Sequence, residues 1–565
     1  MAVTTVGEFI IGRLKALGIR EILGVPGDFN LSFLEQIEEA EDFRFVGTCN
    51  ELNAAYAADG YARQHGVGAL LTTYGVGELS ALNGIAGSRA EHVPVISISG
   101  APPQYATEYR WHLHHSLADG DFANMLDSIR PFTEVVTRVS PMNVVEEVDR
   151  AIRTCLREKR PVHIQIPSDI THLEIEVPDE QFSVELPRSD AERLETTVNR
   201  FLELYAQAQR PVFLLDQDTD RHGFSELFRT IIDKAQIPYA HMTSGKAVLA
   251  EQDPLCLGTY NGAASAPGVQ ERVENSDFCI TTNPRFIEVN SGSFTHNLPE
   301  DDIVNIGDQH FSMGNEFFVG INSLEALELI AERIPKQPTS SQKRVAPEAF
   351  TPDLDAALTQ ARLWPQIATF IEEDDVVIAE SGTANIGLGS VRMPDGVQYI
   401  NSPIWGSIGF TLPALLGSQM AAPHRRHLLF IGDGSFQLTA QELSTILREG
   451  QSPIIFLINN RGYTIERFIL GMKRDYNDVA NWQYADLVQV FAPNAKMPTF
   501  QARTEGELAQ VLNQAGTSPH GAFIELHLDA FDAPQGLQTF GPSTAEFDFG
   551  PRGPRNNGTE SSCAQ

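Results

Sequence analysis

His427-Leu428-Leu429-Phe430-Ile431-Gly432-Asp433-Gly434-Ser435 is an apolar run that empties into Gly-Asp-Gly-Ser. Downstream, Pro453-Ile454-Ile455-Phe456-Leu457-Ile458-Asn459-Asn460-Arg461-Gly462-Tyr463 does the same and empties into Asn-Asn-x-Gly. Both runs have the length and composition of strands buried on two faces, as in a parallel sheet. Asp433 and Asn460 then stand just past the carboxyl ends of two strands, where open α/β sheets bind ligands. Between them, residues 437–449 read as a helix with Leu438, Leu443, Ile446 and Leu447 on its buried side.

Either stretch alone reads as an ordinary turn, because Gly, Asp and Asn are turn residues. Together they suit a magnesium–diphosphate site. Magnesium takes six oxygens in tight octahedral geometry and prefers one or two protein ligands plus phosphate. Asp433 supplies a charged oxygen, Asn460 a neutral one and the Gly462 carbonyl a third. Gly432 and Gly434 let backbone N–H groups approach phosphate, and the helix after Ser435 offers its N-terminus to the anion.

The 565 residues allow three domains of ordinary size, and 42% hydrophobic content supports full cores. A net charge of −33 argues against nucleic acid or an anionic membrane as partner. The five cysteines, Cys49, Cys155, Cys256, Cys279 and Cys563, are scattered and form no C-x-x-C pair. That pattern fits a reducing cytoplasm and excludes a disulfide framework. No apolar run approaches the length of a transmembrane helix. Residues 1–17 lack a basic start, a long apolar core and a cleavage site, so no secretory signal is expected. Asn557-Gly558-Thr559 matches a glycosylation acceptor by chance.

Along the chain, 1–180 read as a first α/β unit, 191–334 as a second and 353–541 as a third. Residues 178–190 and 335–352 read as linkers, and 542–565 as a disordered tail. A helical stripe at Val6, Phe9, Ile10, Leu14 and Leu17 ends at Gly18. Strand 21–25 leads to Asp28, which reads as a cap for the helix near Leu31 or as a polar group at a strand end. Glu51 ends another strand and opens an Ala-rich helix over 52–63. Gly75-Val76-Gly77 is no dinucleotide fingerprint, since the third glycine is misplaced and no ribose-binding acid follows. His112, His114 and His115 lie in a loop without nearby cysteines, and adjacent histidines seldom share one metal. Strand 376–379 ends at Glu380-Ser381-Gly382-Thr383. Trp405-Gly406-Ser407-Ile408-Gly409-Phe410 is a Gly-punctuated turn into a helix, and a further helix opens near Tyr463 with Ile465 and Ile469.

The paired motifs resemble the thiamine diphosphate signature, and residues 5–541 are similar to the 2-oxo-acid decarboxylases. That family includes pyruvate, indolepyruvate, phenylpyruvate and branched-chain decarboxylases. The resemblance implies three doubly wound α/β parallel-sheet domains binding thiamine diphosphate and Mg2+. It assigns Asp433, Asn460 and Gly462 to the metal, and Gly432, Gly434 and Ser435 to the diphosphate. Glu51 would hold the pyrimidine N1′, Gly406 the aminopyrimidine, and Ile408 would wedge the bent cofactor. Asp28, His114, His115 and Glu466 would handle protons and the substrate carboxylate. Thr383, Asn385, Ile386, Ile465 and Ile469 would line the substrate pocket. Activation through a cysteine of the middle domain is not expected, because 216–222 contain none.

In this family the site lies between two subunits, so a homodimer, and usually a dimer of dimers, is implied. The substrate is expected to be a small 2-oxo acid, pyruvate ahead of the indolepyruvate, phenylpyruvate and branched-chain alternatives. An acetolactate-synthase-like carboligase lacks the His pair and the Glu466 counterpart. A scaffold without turnover has no use for the full catalytic set.

Overall fold

The computed structural model describes residues 2–178, 182–184, 187–339 and 343–556. Among the described residues, three large sheets follow one another along the chain, and strands Ala2–Thr5 and Glu174–Val177 pair antiparallel in a small fourth. The first orders its strands Arg44–Gly47, Glu21–Gly24, Gly68–Thr72, Val95–Ala101, Val162–Pro167 and Val136–Arg138, all parallel. The third orders Gln398–Ile400, Val376–Ala379, His427–Gly432, Ile454–Asn459, Ala522–His527 and Thr499–Ala502, again all parallel. Numbered along the chain, both sheets have the strand order 2-1-3-4-6-5. Their switch points fall between the strands Glu21–Gly24 and Gly68–Thr72, and between Val376–Ala379 and His427–Gly432.

The middle sheet is mixed. Its parallel part runs Cys256–Thr259, Tyr239–His241, Pro211–Leu215, Phe278–Thr281 and Ile303–Ile306. The strands His310–Met313 and Glu316–Val319 then add an antiparallel hairpin at one edge, which the sequence reading did not foresee. Its two-residue turn uses Gly314 at φ +54°, the positive φ that tight hairpins require.

The first and third units share a core. Helix Glu51–His65 lies across helix Thr411–Ala421, with Ala54, Ala55, Ala57 and Ala58 packed among Leu412, Ala414, Leu415 and Leu416. The crossing needs two glycines. A Cβ on Gly60 would lie 2.1 Å from the Ala414 carbonyl oxygen, and one on Gly417 only 1.8 Å from that of Ala57. The helices therefore meet backbone to backbone.

Three local expectations are corrected. The helix expected over 437–449 is two helices, Asp433–Thr439 and Glu442–Arg448. Buried Glu442 accepts from the Cys49 N–H (3.2 Å) and the Asn53 amide (2.6 Å), which draws the second helix onto the first unit. The break changes the helical phase, so Leu438 is 51% exposed while Leu443 and Ile446 are buried. Asp28 is not a helix cap. Asn30 precedes helix Leu31–Glu39, and its side chain is taken by the Gly27 N–H and the Val25 carbonyl.

The tail expected from 542 is helical to Phe549, within helix Gln535–Phe549, despite Pro542. Packing outweighs composition there. Leu537, Gly541 and Ala545 form its buried stripe, and Gly541 lies against the Phe468 carbonyl. Asn556 donates to the Arg467 carbonyl at 2.6 Å. Cys563 and the Asn557–Thr559 motif lie outside the described residues.

Candidate active site

Asp433 opens its helix immediately beyond strand His427–Gly432 and is 1% exposed. Its Oδ1 accepts from the Gly434 N–H at 2.8 Å. Burial pushes its carboxyl up to about 6, although backbone N–H groups of Gly434, Arg461, Gly462 and Asn460 pull the other way. Its Oδ2 is buried without a partner. A Cβ on Gly434 would strike the Tyr463 ring at 2.5 Å, whereas the space beside Gly432 is open. The glycine at 434 thus admits Tyr463, and the one at 432 leaves room for a ligand.

The Asn460 amide has two orientations open to it. In one, the Thr464 hydroxyl donates to the Ala530 carbonyl at 3.0 Å and receives a bond from Asn460 at 2.9 Å. Turned the other way, the amide would donate to the Gly462 carbonyl and Asp433 Oδ1 and accept from Thr464; a cation among these oxygens selects the orientation with the amide nitrogen on the Thr464 side. The amide oxygen then faces two other acceptors, the Gly462 carbonyl at 2.9 Å and Asp433 Oδ1 at 3.2 Å. Neighbouring ligands of an octahedral cation with bonds near 2.1 Å stand about 3 Å apart. Carboxylate, amide and carbonyl oxygens at this spacing, with no nitrogen or sulfur donor among them, fit a hard cation of magnesium size.

The loop carrying these groups is pinned from behind. Gly462 has φ +142°, and a Cβ there would lie 2.0 Å from the Asn477 carbonyl. The Tyr463 N–H donates to that carbonyl at 2.9 Å. Buried Arg467 pairs with Asp478 and also donates to the Asn477 carbonyl. Asn477 and Asp478 thereby back the loop that carries Asn460 and Gly462.

At the switch point of the first sheet, Asp28 Oδ2 lies 2.7 Å from His114 Nε2, and Oδ1 lies 3.7 Å from His115 Nε2. In an extended chain neighbouring side chains point to opposite sides. Here His115 has φ +59°, which turns both imidazoles toward one carboxylate, with ring centroids 4.4 Å apart. Phe29 stacks on His114 at 5.1 Å. A Cβ on Gly75 would lie 2.0 Å from the His115 carbonyl, so this glycine lets the bent loop close in. A strained backbone held by its surroundings is typical of a functional site. Two imidazoles sharing one carboxylate can accept, store and return a proton.

Glu51 opens helix Glu51–His65, where the Asn50 side chain accepts from the Asn53 N–H as the cap. Its carboxylate lies against Gly77, with Oε1 3.4 Å from where a Cβ would stand. Glu466 is exposed on helix Thr464–Ile469, yet crowding around its carboxyl, with the Asp548 carboxylate as second cause, raises its pKa. Ile465 and Ile469 share that helix. Thr383, Asn385 and Ile386 lie on helix Thr383–Leu388. The Asn385 oxygen accepts from the Tyr399 hydroxyl (2.8 Å) and the Asn401 amide (3.2 Å), which ties it into the protein. Ile386 abuts Gly536 of the C-terminal helix.

Gly406 and Ile408 occupy a turn bracketed by two buried carboxylates. From the first unit, Glu91 Oε1 accepts from the Ser402 hydroxyl and the Ile404 and Trp405 N–H groups at 2.9–3.1 Å. From the third, Glu380 accepts from Gly409 and Thr411. The sequence reading missed both roles. Glu380 carried a signal, since it ends a strand as Asp433 nearly does, but Glu91 sits at a helix end with nothing to mark it. Among the described residues, no hydrogen bond or ion pair joins Asp28, Glu51 or the two histidines to Asp433, Asn460 or Glu466.

Models of thiamine pyrophosphate enzymes match all three units: the N-terminal TPP binding domain at residues 4–125, the central domain at 198–333 and the C-terminal TPP binding domain at 381–526. Pyruvate decarboxylase isozyme 1 of Saccharomyces cerevisiae is 38% identical over 553 residues, covering 95% of this chain and 98% of that one. The chain belongs to the thiamine diphosphate-dependent 2-oxo-acid decarboxylases. Within that family it is also 38% identical to an alpha-keto-acid decarboxylase of Mycobacterium leprae, over 538 residues and 94% of each chain. This decarboxylase thus carries its cofactor-binding domains at the two ends of the chain. Among the described residues, no helix is long and apolar enough to cross a membrane.

Proposed function

We propose that this decarboxylase converts pyruvate to acetaldehyde and carbon dioxide at sites shared between two copies of the chain, themselves paired as a dimer of dimers. The observation that carries the reading is the convergence of His114 and His115 on Asp28 at the switch point of the first sheet. A decarboxylase must deliver a proton to the carbon that has lost carbon dioxide, and this cluster is built to hold one.

Asp433, Asn460 and Gly462 would hold Mg2+, and with Gly432, Gly434 and Ser435 would receive the diphosphate. Bound thiamine diphosphate supplies the electron sink that a 2-oxo acid lacks. Glu51 would hold a proton at the pyrimidine N1′, while Gly406 and Ile408 would fix the ring's posture. Positioning of this kind lowers barriers by up to about 7–11 kcal/mol. Glu466, its pKa raised, would sit by the substrate carboxylate, and the Asp28 cluster would manage the proton before aldehyde release. Ile386, Ile465 and Ile469 would give the pocket apolar walls.

Pyruvate is favoured because the relatives in Saccharomyces cerevisiae and Candida glabrata bear that substrate in their names. Four free thiols among the described residues suit a reducing compartment, the cytoplasm. The test is aldehyde release by the purified chain with thiamine diphosphate and Mg2+ on pyruvate, indolepyruvate, phenylpyruvate and 2-oxoisovalerate. The highest kcat/KM is expected on pyruvate. A larger substrate winning would replace pyruvate, acetolactate as main product would replace decarboxylation by carboligation, and no turnover on any would end the reading.

A further inference from the structure

Glu380 is 2% exposed and follows strand Val376–Ala379, on one side of the switch point whose other side ends at Asp433. Its Oε2 accepts from the Gly409 N–H (3.2 Å), the Thr411 N–H (3.4 Å) and the Thr411 hydroxyl (2.7 Å), and its Oε1 from the Ser381 N–H (3.1 Å). Every one of these partners donates. On the far side of the same residue, the Gly409 carbonyl accepts from the Thr439 hydroxyl at 2.7 Å. Thr439 is the last residue of the helix that begins at Asp433.

Gly409 is therefore gripped at both ends, its N–H by Glu380 and its carbonyl by Thr439. It needs to be glycine, with φ +84° and space for a Cβ only 2.9 Å from Leu438 Cβ. Ile408 immediately precedes it. A glutamine could fill most of this hydrogen-bonding demand without charge, and a buried carboxylate is costly unless its bonds repay it. Burial pushes Glu380 up to about 7. The titratable side chain whose charge acts across this contact is Tyr56, itself bonded to Ser407 in the same turn.

We propose that Glu380 is a positioning residue which, with Thr439, sets Ile408 and Gly406 at a fixed height above the Asp433 helix. The inference rests on the reading that the 406–408 turn holds the cofactor's aminopyrimidine. The clamp ties that turn to the element carrying the metal ligand, so ring and diphosphate are held in one frame. Its loss moves the ring and leaves the substrate pocket as it was.

The experiment measures thiamine diphosphate affinity, kcat and KM for wild type, Glu380→Ala, Glu380→Gln and Thr439→Val, each with Mg2+. Glu380→Ala is expected to weaken cofactor binding and lower kcat, each by about tenfold to a hundredfold, with KM for the 2-oxo acid nearly unchanged. Glu380→Gln keeps three of the four acceptor contacts and should recover most of both. Thr439→Val should show the same split in milder form. Wild-type affinity and kcat in Glu380→Ala would overturn the proposal, as would equal losses in the Ala and Gln variants. If Glu380→Ala does not fold, Thr439→Val decides, and unaltered cofactor affinity there overturns it. A wild-type chain that binds no thiamine diphosphate removes the parent reading instead.

Discussion

At the scale of the residue, burial and the proposed ligation pull on the carboxyl group of Asp433 in opposite directions. Removal from water raises its pKa to about 6, so between about pH 4 and 6 the folded chain holds a proton that the unfolded chain releases. Without metal, this group's contribution to stability is fully present below the unfolded value and is lost as pH rises through 6. A cation must displace that proton. Mg2+ affinity is therefore expected to rise about tenfold per pH unit from pH 4.5 to 6 and to level off above 7. Calorimetric titration of Mg2+ with thiamine diphosphate across that range checks it. A flat profile would mean that the carboxyl is already ionised at pH 5.

At the scale of the element, the crossing of helices Glu51–His65 and Thr411–Ala421 has no room for a methyl group. Gly417→Ala would place a Cβ 1.8 Å from the Ala57 oxygen, and overpacking of this kind costs about 1–3 kcal/mol or more. Gly12, on helix Val6–Ala16, has nothing within 4 Å of its Cβ position. Gly12→Ala should be neutral or stabilising by up to about 1 kcal/mol. Urea melts of the two variants test the contrast, and equal midpoints would show that the crossing yields.

Elements also differ in how much of them the sequence discloses. The strands ending at Gly432 and Asn459 were legible because continuous apolar runs bounded by glycine leave few alternatives. The places of Asp433 and Asn460 just past those strands were legible with them, since position at a strand end is a local property. The split at Ala440–Gln441 was not, because Glu442 takes its partners from Cys49 and Asn53, far away in sequence. Helix Gln535–Phe549 was hidden by Pro542 and stands on its buried stripe packed against Phe468. The convergence of two adjacent histidines required the φ of His115, which no residue type announces.

At the scale of the whole molecule, no hydrogen bond or ion pair among the described residues joins the Asp28 and Glu51 group of a chain to its Asp433 and Asn460 group, and the proposed site takes one group from each of two chains. Glu51→Gln and Asp433→Asn should each be nearly inactive alone. Mixed, unfolded together and refolded, they should recover about a quarter of wild-type turnover, because half of the dimers are mixed and one of their two sites has both native residues. No recovery, with both variants folded and associated, would place the site within a single chain.

The glycine crossing lies at neither of these two groups, yet both are fastened to it. Helix Glu51–His65 starts at the proposed activating carboxylate, and helix Thr411–Ala421 continues directly from the turn that Glu380 clamps. Each chain thus carries a single keel with a catalytic fitting on either unit. In the proposed dimer, a tilt of that keel would misalign two reaction centres at once without altering any side chain that touches cofactor or substrate.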